Sequence, residues 1–201
     1  MKLYRFVPFD RSGRIAWMLR ELNRDFEVVE LDARNGEHRK EAFCALSPAG
    51  KVPLLIDGDV VLFESGAALQ YLAETYGEGR FAPPPGGSER AQFLSWMYFA
   101  SASLDPVCFE FVRPDIPEKL KPARRERARF EVTRQLDALE RQLGEKSTIL
   151  ASGFSIVDIQ IAGPLHYADV AGCLEQRVRL QRYLEAMRNR PAAREVRAFG
   201  P

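Results

Sequence analysis

The residues with the clearest potential for binding chemistry lie on either side of a short hairpin pattern. Two apolar runs, Val52–Ile56 and Val60–Phe63, flank Asp57-Gly58, and Asp-Gly between apolar runs predicts a tight β-turn. After Glu64 the apolar residues follow a helical spacing, so Ser65 is predicted at or near the start of a helix. The first turn of a helix leaves backbone N–H groups unpaired, and these groups favour a bound carboxylate or phosphate. The sequence therefore predicts an anion-binding position at Ser65.

Pro53 restricts how the strand before the turn can pair. Proline has no backbone N–H, so it is expected at the first residue or on the edge of a strand. We therefore expect Val52-Pro53 to offer an edge-strand backbone close to the helix start at Glu64-Ser65. Such an arrangement suits a short acidic peptide, because the strand can pair with its backbone while the helix start contacts its carboxylate.

This combination resembles a known signature. Val52-Pro53 followed by Glu64-Ser65 is similar to the glutathione-binding motif of cytosolic glutathione S-transferases, in particular of theta-like and bacterial serine-type members. In that family the proline is cis, the residue before it pairs with the cysteinyl backbone of glutathione, and the Glu-Ser pair holds the γ-glutamyl end. His38 and Lys51 stand where theta-like members carry a histidine facing the glycine carboxylate and a lysine. The resemblance implies that glutathione, as a co-substrate, is bound by His38, Lys51, Val52, Pro53, Glu64 and Ser65.

The resemblance also implies where the glutathione thiol is activated. The reactive form is the thiolate, which a hydrogen-bond donor or a positive charge near the sulfur stabilises. The family places that donor, a Tyr, Ser or Cys, between the first strand and the first helix. This chain has no Cys there, which disfavours thiol exchange, and it has Asp10 where theta-like members carry serine. A carboxylate beside the sulfur would raise the thiol pKa, so Asp10 is a departure from the family pattern.

Ser12 has the one hydroxyl in this loop, and two roles are predicted for it. A serine immediately before a helical pattern is a typical N-cap, so Ser12 is expected to cap a helix over about residues 13–23. Its O–H remains free to donate to the thiolate. Arg11, the backbone amides at the helix start and Tyr4 in the first strand are the alternative donors.

Composition excludes several other classes of protein. The chain has 201 residues, 46% hydrophobic and 28% charged, with a formal net charge of +1, so no strong field favours nucleic acid or an anionic membrane. No apolar run approaches the ~20 residues that a membrane span needs, and the N-terminus lacks the apolar segment of a signal peptide. Three scattered cysteines without a CxxC pair, and two histidines, argue against a disulfide framework or a metal centre and suit the cytoplasm.

The elements that must position these residues form two predicted domains. Residues 1–77 follow the order β-α-β-α-β-β-α, which is typical of a thioredoxin-like domain. Residues 78–88 are rich in Gly and Pro and are predicted to be the linker. Residues 89–201 show no convincing strand pattern and are predicted to form an all-helical C-terminal domain. The fold class is therefore α/β plus all-α.

Three local patterns define the helical domain further. A helix from Arg90 is expected to bend at Asp105-Pro106 and to end at residues 113–117. Ser155 and Asp158 have the spacing of a capping box, in which each side chain accepts a hydrogen bond at a helix start. A second long helix spans residues 118–143, and its buried stripe is predicted to be Phe130, Val132, Leu136, Leu139 and Leu143.

The resemblance predicts an enzyme that conjugates the glutathione thiolate to a small hydrophobic electrophile. The aromatic residues expected to line the electrophile pocket are Trp96, Phe99, Phe109 and Phe111. Family members are usually homodimers, so a homodimer is implied as well. Two alternatives remain open: a related protein that has lost catalysis and serves as a binding or regulatory module, and another glutathione-dependent reaction such as dehalogenation, isomerisation or disulfide reduction.

Overall fold

The computed structural model describes residues 1–113 and 116–200, and the chain divides into two compact units. The N-terminal unit comprises residues 1–82 together with the segment that begins at Arg188, and the helical unit comprises residues 83–187. The predicted helical domain extended to residue 201. In the structure the final segment instead groups with the N-terminal unit, because it packs on the first helix of that unit. The predicted end of a helix at residues 113–117 lies partly outside the described residues.

The N-terminal unit has the order of elements that its sequence predicts. The α/β class and the β-α-β-α-β-β-α order are confirmed, with boundaries that differ by one or two residues. A 3-10 turn at Glu37–Arg39 precedes the short second helix. The elements are β1 (Lys2–Arg5), α1 (Ser12–Glu21), β2 (Glu27–Glu30), α2 (Glu41–Cys44), β3 (Leu54–Asp57), β4 (Val60–Phe63) and α3 (Ser65–Tyr76).

These strands form one mixed sheet in the order β2-β1-β3-β4. β1 pairs with β2 in parallel and with β3 in antiparallel, and β3 and β4 form the antiparallel hairpin around Asp57-Gly58. The expectation that Val52-Pro53 lies on an edge strand is wrong, because β3 pairs on both sides. Both residues instead precede Leu54, the first paired residue of β3, so their backbone lies just beyond the ladder.

The core of the N-terminal unit lies where α1 and α3 contact the sheet. Burial of one such Leu, Ile or Trp side chain contributes roughly 1.5–3 kcal/mol, which fixes the helices to the sheet. The fully buried positions at the centre of this core are Leu3, Ile15, Met18, Leu19, Leu54, Leu55, Leu69 and Leu72.

The helical unit begins with a helix that changes its geometry part-way. α4 (Arg90–Tyr98) continues as a π-helical segment at Phe99–Leu104 and then as α5 (Asp105–Phe109). Pro106 has no N–H to donate to the preceding turn, and its ring crowds the carbonyl four residues earlier, so a wider turn before it relieves the conflict. The remaining helices are α6 (Lys121–Leu143), α7 (Ile156–Val170) and α8 (Val178–Arg188), while α9 (Pro191–Glu195) belongs to the N-terminal unit.

The buried stripe of α6 differs from the prediction at one position. Phe130 is 76% exposed, and Ala128 takes its place in the stripe, which continues through Val132 and Leu136. The reason is the helical period: Ala128 precedes Val132 by four residues, whereas Phe130 precedes it by two and so lies on another face.

The predicted capping box at the start of α7 is confirmed. Ser155 Oγ accepts a hydrogen bond from the Val157 N–H at 3.3 Å, and Asp158 Oδ2 accepts one from the Ser155 N–H at 2.9 Å. Asp158 is fully buried, and its Oδ1 also accepts from the Ile149 N–H and the Tyr183 hydroxyl. Burial raises the pKa of the Asp158 carboxyl, and these hydrogen bonds oppose that shift. The box therefore joins α7, α8 and the loop before α7.

Within the part of the chain that the structure describes, no helix combines the length and apolarity needed to cross a bilayer.

Candidate active site

The candidate site lies where the strands end, at the edge of the sheet that runs across β1, β3 and β4. Three chain segments enter or leave their strands there. Tyr4 of β1 pairs with Leu54 of β3, and Leu54 pairs on its other side with Phe63 of β4. Beyond this row β1 runs into the loop that precedes α1, β3 is entered from Val52-Pro53, and β4 runs into Glu64-Ser65. Because β3 is antiparallel to both β1 and β4, the three segments lie next to one another. The N-termini of α1 and α3, which follow two of these segments, lie at the same place.

The Val52–Pro53 peptide bond is cis, as the resemblance implies. Pro53 is buried and Val52 is half-buried. The residue before them is fixed by Ser47, which is fully buried and donates its hydroxyl to the Lys51 carbonyl at 2.9 Å. The Lys51 side chain is exposed. The backbone that approaches the site is therefore held in place, while the ammonium group remains accessible to solvent.

Glu64 and Ser65 form the start of α3, as predicted. Glu64 is the N-cap residue and has φ 72° and ψ 118°, a left-handed backbone conformation that is costly for a residue with a side chain. The cap makes no side-chain hydrogen bond, and no acidic residue lies in the first turn of α3. Ser65 is 5% exposed, while the Glu64 side chain is exposed. The first-turn N–H groups therefore have no acidic side chain or cap competing with an incoming anion.

His38 approaches the same edge from the 3-10 turn. Its ring packs edge-on against Phe6, with 5.1 Å between the centroids, and Phe6 begins the loop after β1. Among the described residues, His38 Nδ1 is buried and has no hydrogen-bond partner. The structure thus places His38 beside the loop that precedes α1.

Asp10 organises the loop between β1 and α1. Its Oδ2 accepts hydrogen bonds from the backbone N–H groups of Phe6 and Val7 at 2.9 and 3.1 Å, and its Oδ1 accepts one from the Ser12 N–H at 2.6 Å. Its carbonyl accepts a further bond from the Gly13 N–H at 3.0 Å. The backbone amides of Ser12 and Gly13 at the start of α1, which were predicted as possible thiolate donors, therefore donate to Asp10.

Ser12 occupies a different position from the one predicted. The expectation that it caps α1 is wrong, because it is the first helical residue and the N-cap position is Arg11, which makes no side-chain cap. The side chain of Ser12 is fully buried, and its Oγ finds no hydrogen-bond partner in residues 1–113 or 116–200. Arg11 is half-buried. Tyr4 is half-buried too, and its ring centroid lies 5.8 Å from that of Phe43.

Two contributors to the site were not predicted from the sequence. Phe6 orients His38, and nothing in the local pattern indicates a contact across more than thirty residues. Ser47 fixes the carbonyl of Lys51; the Ser-Pro-Ala-Gly run that follows Leu46 signals a turn but does not show which group the hydroxyl reaches.

The comparisons with known proteins agree with the fold. The family model for the glutathione S-transferase N-terminal domain matches residues 1–74, and the model for the C-terminal domain matches residues 122–186. The chain belongs to the glutathione S-transferase family.

Individual relatives resemble the chain over most of its length. It is 32% identical to a glutathione S-transferase of Hyoscyamus muticus, over 83% of this chain and 82% of the relative. It is 29% identical to glutathione S-transferase F7 of Arabidopsis thaliana, over 98% of both chains. Among solved structures, a sphingomonad glutathione S-transferase complexed with glutathione is 27% identical, with a TM-score of 0.83 and coverage of 98% of this chain and 96% of that one.

Proposed function

We propose that this protein is a glutathione transferase, which conjugates the thiolate of glutathione to a small hydrophobic electrophile. One observation carries the proposal: the unpaired backbone at Val52-Pro53 and the uncapped start of α3 at Glu64-Ser65 lie at the same sheet edge. A peptide that pairs with Val52 can reach the start of α3 with its carboxylate, and this is the geometry that glutathione requires.

The polar groups at this edge match the ends of glutathione. The α-carboxylate of the γ-glutamyl group binds the first-turn N–H groups of α3 and the Ser65 hydroxyl, and the exposed Glu64 carboxylate pairs with its ammonium group. The cysteinyl backbone pairs with Val52. The glycine carboxylate binds His38 and the exposed Lys51 ammonium.

Arg11 is the side chain we propose as the activator of the thiol. The Asp10 carboxylate is held by three backbone N–H groups and stays within the loop rather than acting on the sulfur. Ser12 has no accessible surface, so its hydroxyl reaches a ligand only if the loop opens. Arg11 is half-buried, its guanidinium is always charged, and a positive charge near the sulfur lowers a thiol pKa. Ser12 as donor remains the alternative.

Paired substitutions separate Arg11 from Ser12. Arg11→Ala should raise the pKa of bound glutathione by about one unit, which corresponds to a lost interaction of about 1.4 kcal/mol, while Ser12→Ala should leave that pKa unchanged. The absorbance of the bound thiolate as a function of pH measures it directly. A shifted pKa in Ser12→Ala and an unchanged one in Arg11→Ala would reverse the assignment.

The hydrophobic character of the electrophile is supported by the loop itself. Val7 and Phe9 are 37% and 45% exposed, so the loop offers apolar surface beside the thiol position. In the helical unit, Phe111 is only 5% exposed and belongs to the core. Trp96 and Phe99 are half-buried with ring centroids 4.9 Å apart, as is Phe109, and their role in binding the electrophile stays a prediction.

A homodimer and a cytoplasmic location complete the proposal. Tyr98 and Phe130 of the helical unit are 68% and 76% exposed, and each offers an aromatic ring that a second copy of the chain can cover. Sedimentation at the 22.8 kDa of one chain would rule out the dimer, and Phe130→Asp should weaken it. The reduced form of Cys44, Cys108 and Cys173 suits a reducing compartment, and fractionation of the native cells tests this location.

The binding proposal is tested by retention on immobilised glutathione and by calorimetry. Ser65→Ala should weaken glutathione binding by roughly 1–3 kcal/mol, because a charged group of the ligand loses its partner. Ser88→Ala, an exposed serine in the helical unit, is the matched control and should bind normally. Equal affinity in both variants would remove the proposed site.

Catalysis is tested separately with a generic aryl halide. Conjugation by the wild-type protein supports the transferase. Retention of glutathione without conjugation would instead favour another glutathione-dependent reaction or a binding module that has lost catalysis.

A further inference from the structure

The end of the chain forms a segment that lies along α1, and residues 190–200 are here named the C-terminal strap. Arg190 donates two hydrogen bonds to the carboxylate of Glu21, at 2.7 and 2.9 Å. Arg20 Nε lies 2.9 Å from Glu195 Oε1. Both ion pairs attach the strap to the C-terminal half of α1. The Arg190–Glu21 pair is two-pronged, and such a pair fixes orientation as well as distance.

A buried tryptophan joins these ion pairs to the tip of the strap. Trp17 is 1% exposed and donates its Nε1–H to Glu21 Oε1 at 2.8 Å, on the same carboxylate that Arg190 binds. Its ring meets Phe199 edge-on with 5.7 Å between the centroids. The strap is therefore anchored along its length to one face of α1.

The tip of the strap lies against the loop that precedes α1. A β-carbon at Gly13 would lie 2.4 Å from the Pro8 carbonyl oxygen and 3.4 Å from Cα of Ala198. A β-carbon at Gly200 would lie 3.8 Å from Cγ of Phe9. Only a glycine at position 13 allows the loop, the start of α1 and the strap to approach this closely. The residues in contact with the strap, Phe9 and Gly13, bracket Asp10, Arg11 and Ser12.

We infer that the C-terminal strap is a positioning element for the thiol-activating loop. The inference rests on the proposed function and adds a further group of residues to it. The strap contacts residues on both sides of Arg11, so it fixes where Arg11 stands relative to the sulfur. Val52 and Ser65, which bind glutathione in the proposal, lie on other segments and make none of the contacts described for the strap. Loss of the strap should therefore impair thiolate formation more than glutathione binding.

Truncation after Arg197 tests this inference, because it removes the residues that touch the loop and leaves both ion pairs. We expect kcat to fall by roughly 10–100-fold, the range that a misplacement of about 1 Å produces, with the KM for glutathione within about twofold. The pKa of the bound thiol should rise by about one unit in the same variant. A merely structural role would lower the amount of folded protein without moving that pKa.

A matched pair of arginine substitutions supplies the control. Arg190→Gln breaks the ion pair with Glu21, and Arg177→Gln breaks a similar pair of contacts with Asp137 and Glu140, at 2.6 and 2.7 Å, in the helical unit. Arg190→Gln should raise the thiol pKa in the direction of the truncation. Arg177→Gln should leave it unchanged. Equal pKa values in all these variants and in the wild type would overturn the inference.

Two further results keep the test decisive. If the truncated chain does not fold, Phe199→Ala takes its place, because it removes only the ring that meets Trp17. An unchanged thiol pKa and kcat in folded Phe199→Ala would then overturn the inference. If the wild-type protein neither binds nor conjugates glutathione, the proposed function itself fails. A strap variant with wild-type kinetics in an active enzyme refutes the strap alone.

Discussion

Replacement of Asp10 is expected to reveal whether this carboxylate organises the loop or takes part in proton transfer. Its two oxygens accept hydrogen bonds from three backbone N–H groups, those of Phe6, Val7 and Ser12. Phe6 is half-buried and Val7 is exposed, so their released N–H groups can find water, and we assign about 1 kcal/mol to each bond, with the buried Ser12 N–H at the upper end of that range. Asp10→Ala should therefore lower the free energy of unfolding by about 3 kcal/mol. Asp10→Asn keeps one acceptor oxygen and should lose roughly half as much.

Urea denaturation of each variant, with kcat measured over a range of pH, provides the assay. Glu89→Ala is the matched control: Glu89 also accepts two backbone N–H bonds, from Ala151 and Ser152, but in the helical unit. It should lose less stability and keep its kcat. If Asp10→Asn were as stable as the wild type but had lost activity, with the rising limb of its pH profile gone, Asp10 would be a general base and the structural interpretation would be refuted.

Two further predictions concern the helical unit. The guanidinium of Arg124 lowers the pKa of the Glu110 carboxyl; burial opposes this shift and Arg113 adds to it, so the net pKa is lowered. The ionised carboxylate therefore stabilises the folded protein at pH values above the ordinary Glu pKa, and this stabilisation is lost as the pH falls through the lowered value. Glu110→Gln should thus cost about 1 kcal/mol at pH 7 in thermal melts, and a difference that persists at low pH would contradict this assignment. Tyr183→Phe removes the hydroxyl that donates to buried Asp158 and should cost about 1–2 kcal/mol, with unchanged glutathione affinity in calorimetry. A wild-type melting temperature would show that this bond adds nothing.

The features that the sequence predicted correctly depend on signals within a few residues. The hairpin at Asp57-Gly58 follows from a turn that needs glycine, and β3 and β4 pair around it. The capping box of Ser155 and Asp158 follows from a spacing of three residues, and the observed hydrogen bonds match it. The helix start at Ser65 is equally local. In each case the residues that determine the feature lie within about ten positions of one another in the sequence.

The features that the sequence did not predict depend on how the segments fold and pair around the residue concerned. Serine is a typical N-cap residue, but Ser12 is the first residue inside α1, where its N–H donates to Asp10. Phe130 lies in the highly charged helix α6, and its spacing of two residues from Val132 places it outside the buried stripe, a consequence of the helical period that the prediction overlooked. The pairing of β3 on both sides could not be read from Pro53, because proline excludes only one bond.

The contact between Arg190 and Glu21 joins residues that are 169 positions apart, and this has a consequence for biosynthesis. The ribosome must translate the whole helical unit, residues 83–187, before the partner of Glu21 exists. At about 5–20 residues per second this interval is on the order of ten seconds. During that time Trp17 lacks its neighbour Phe199, so the nascent thioredoxin-like half exposes apolar surface at this ring. Chaperone binding to the nascent chain should therefore decline once the C-terminal strap has left the ribosome and can reach Trp17.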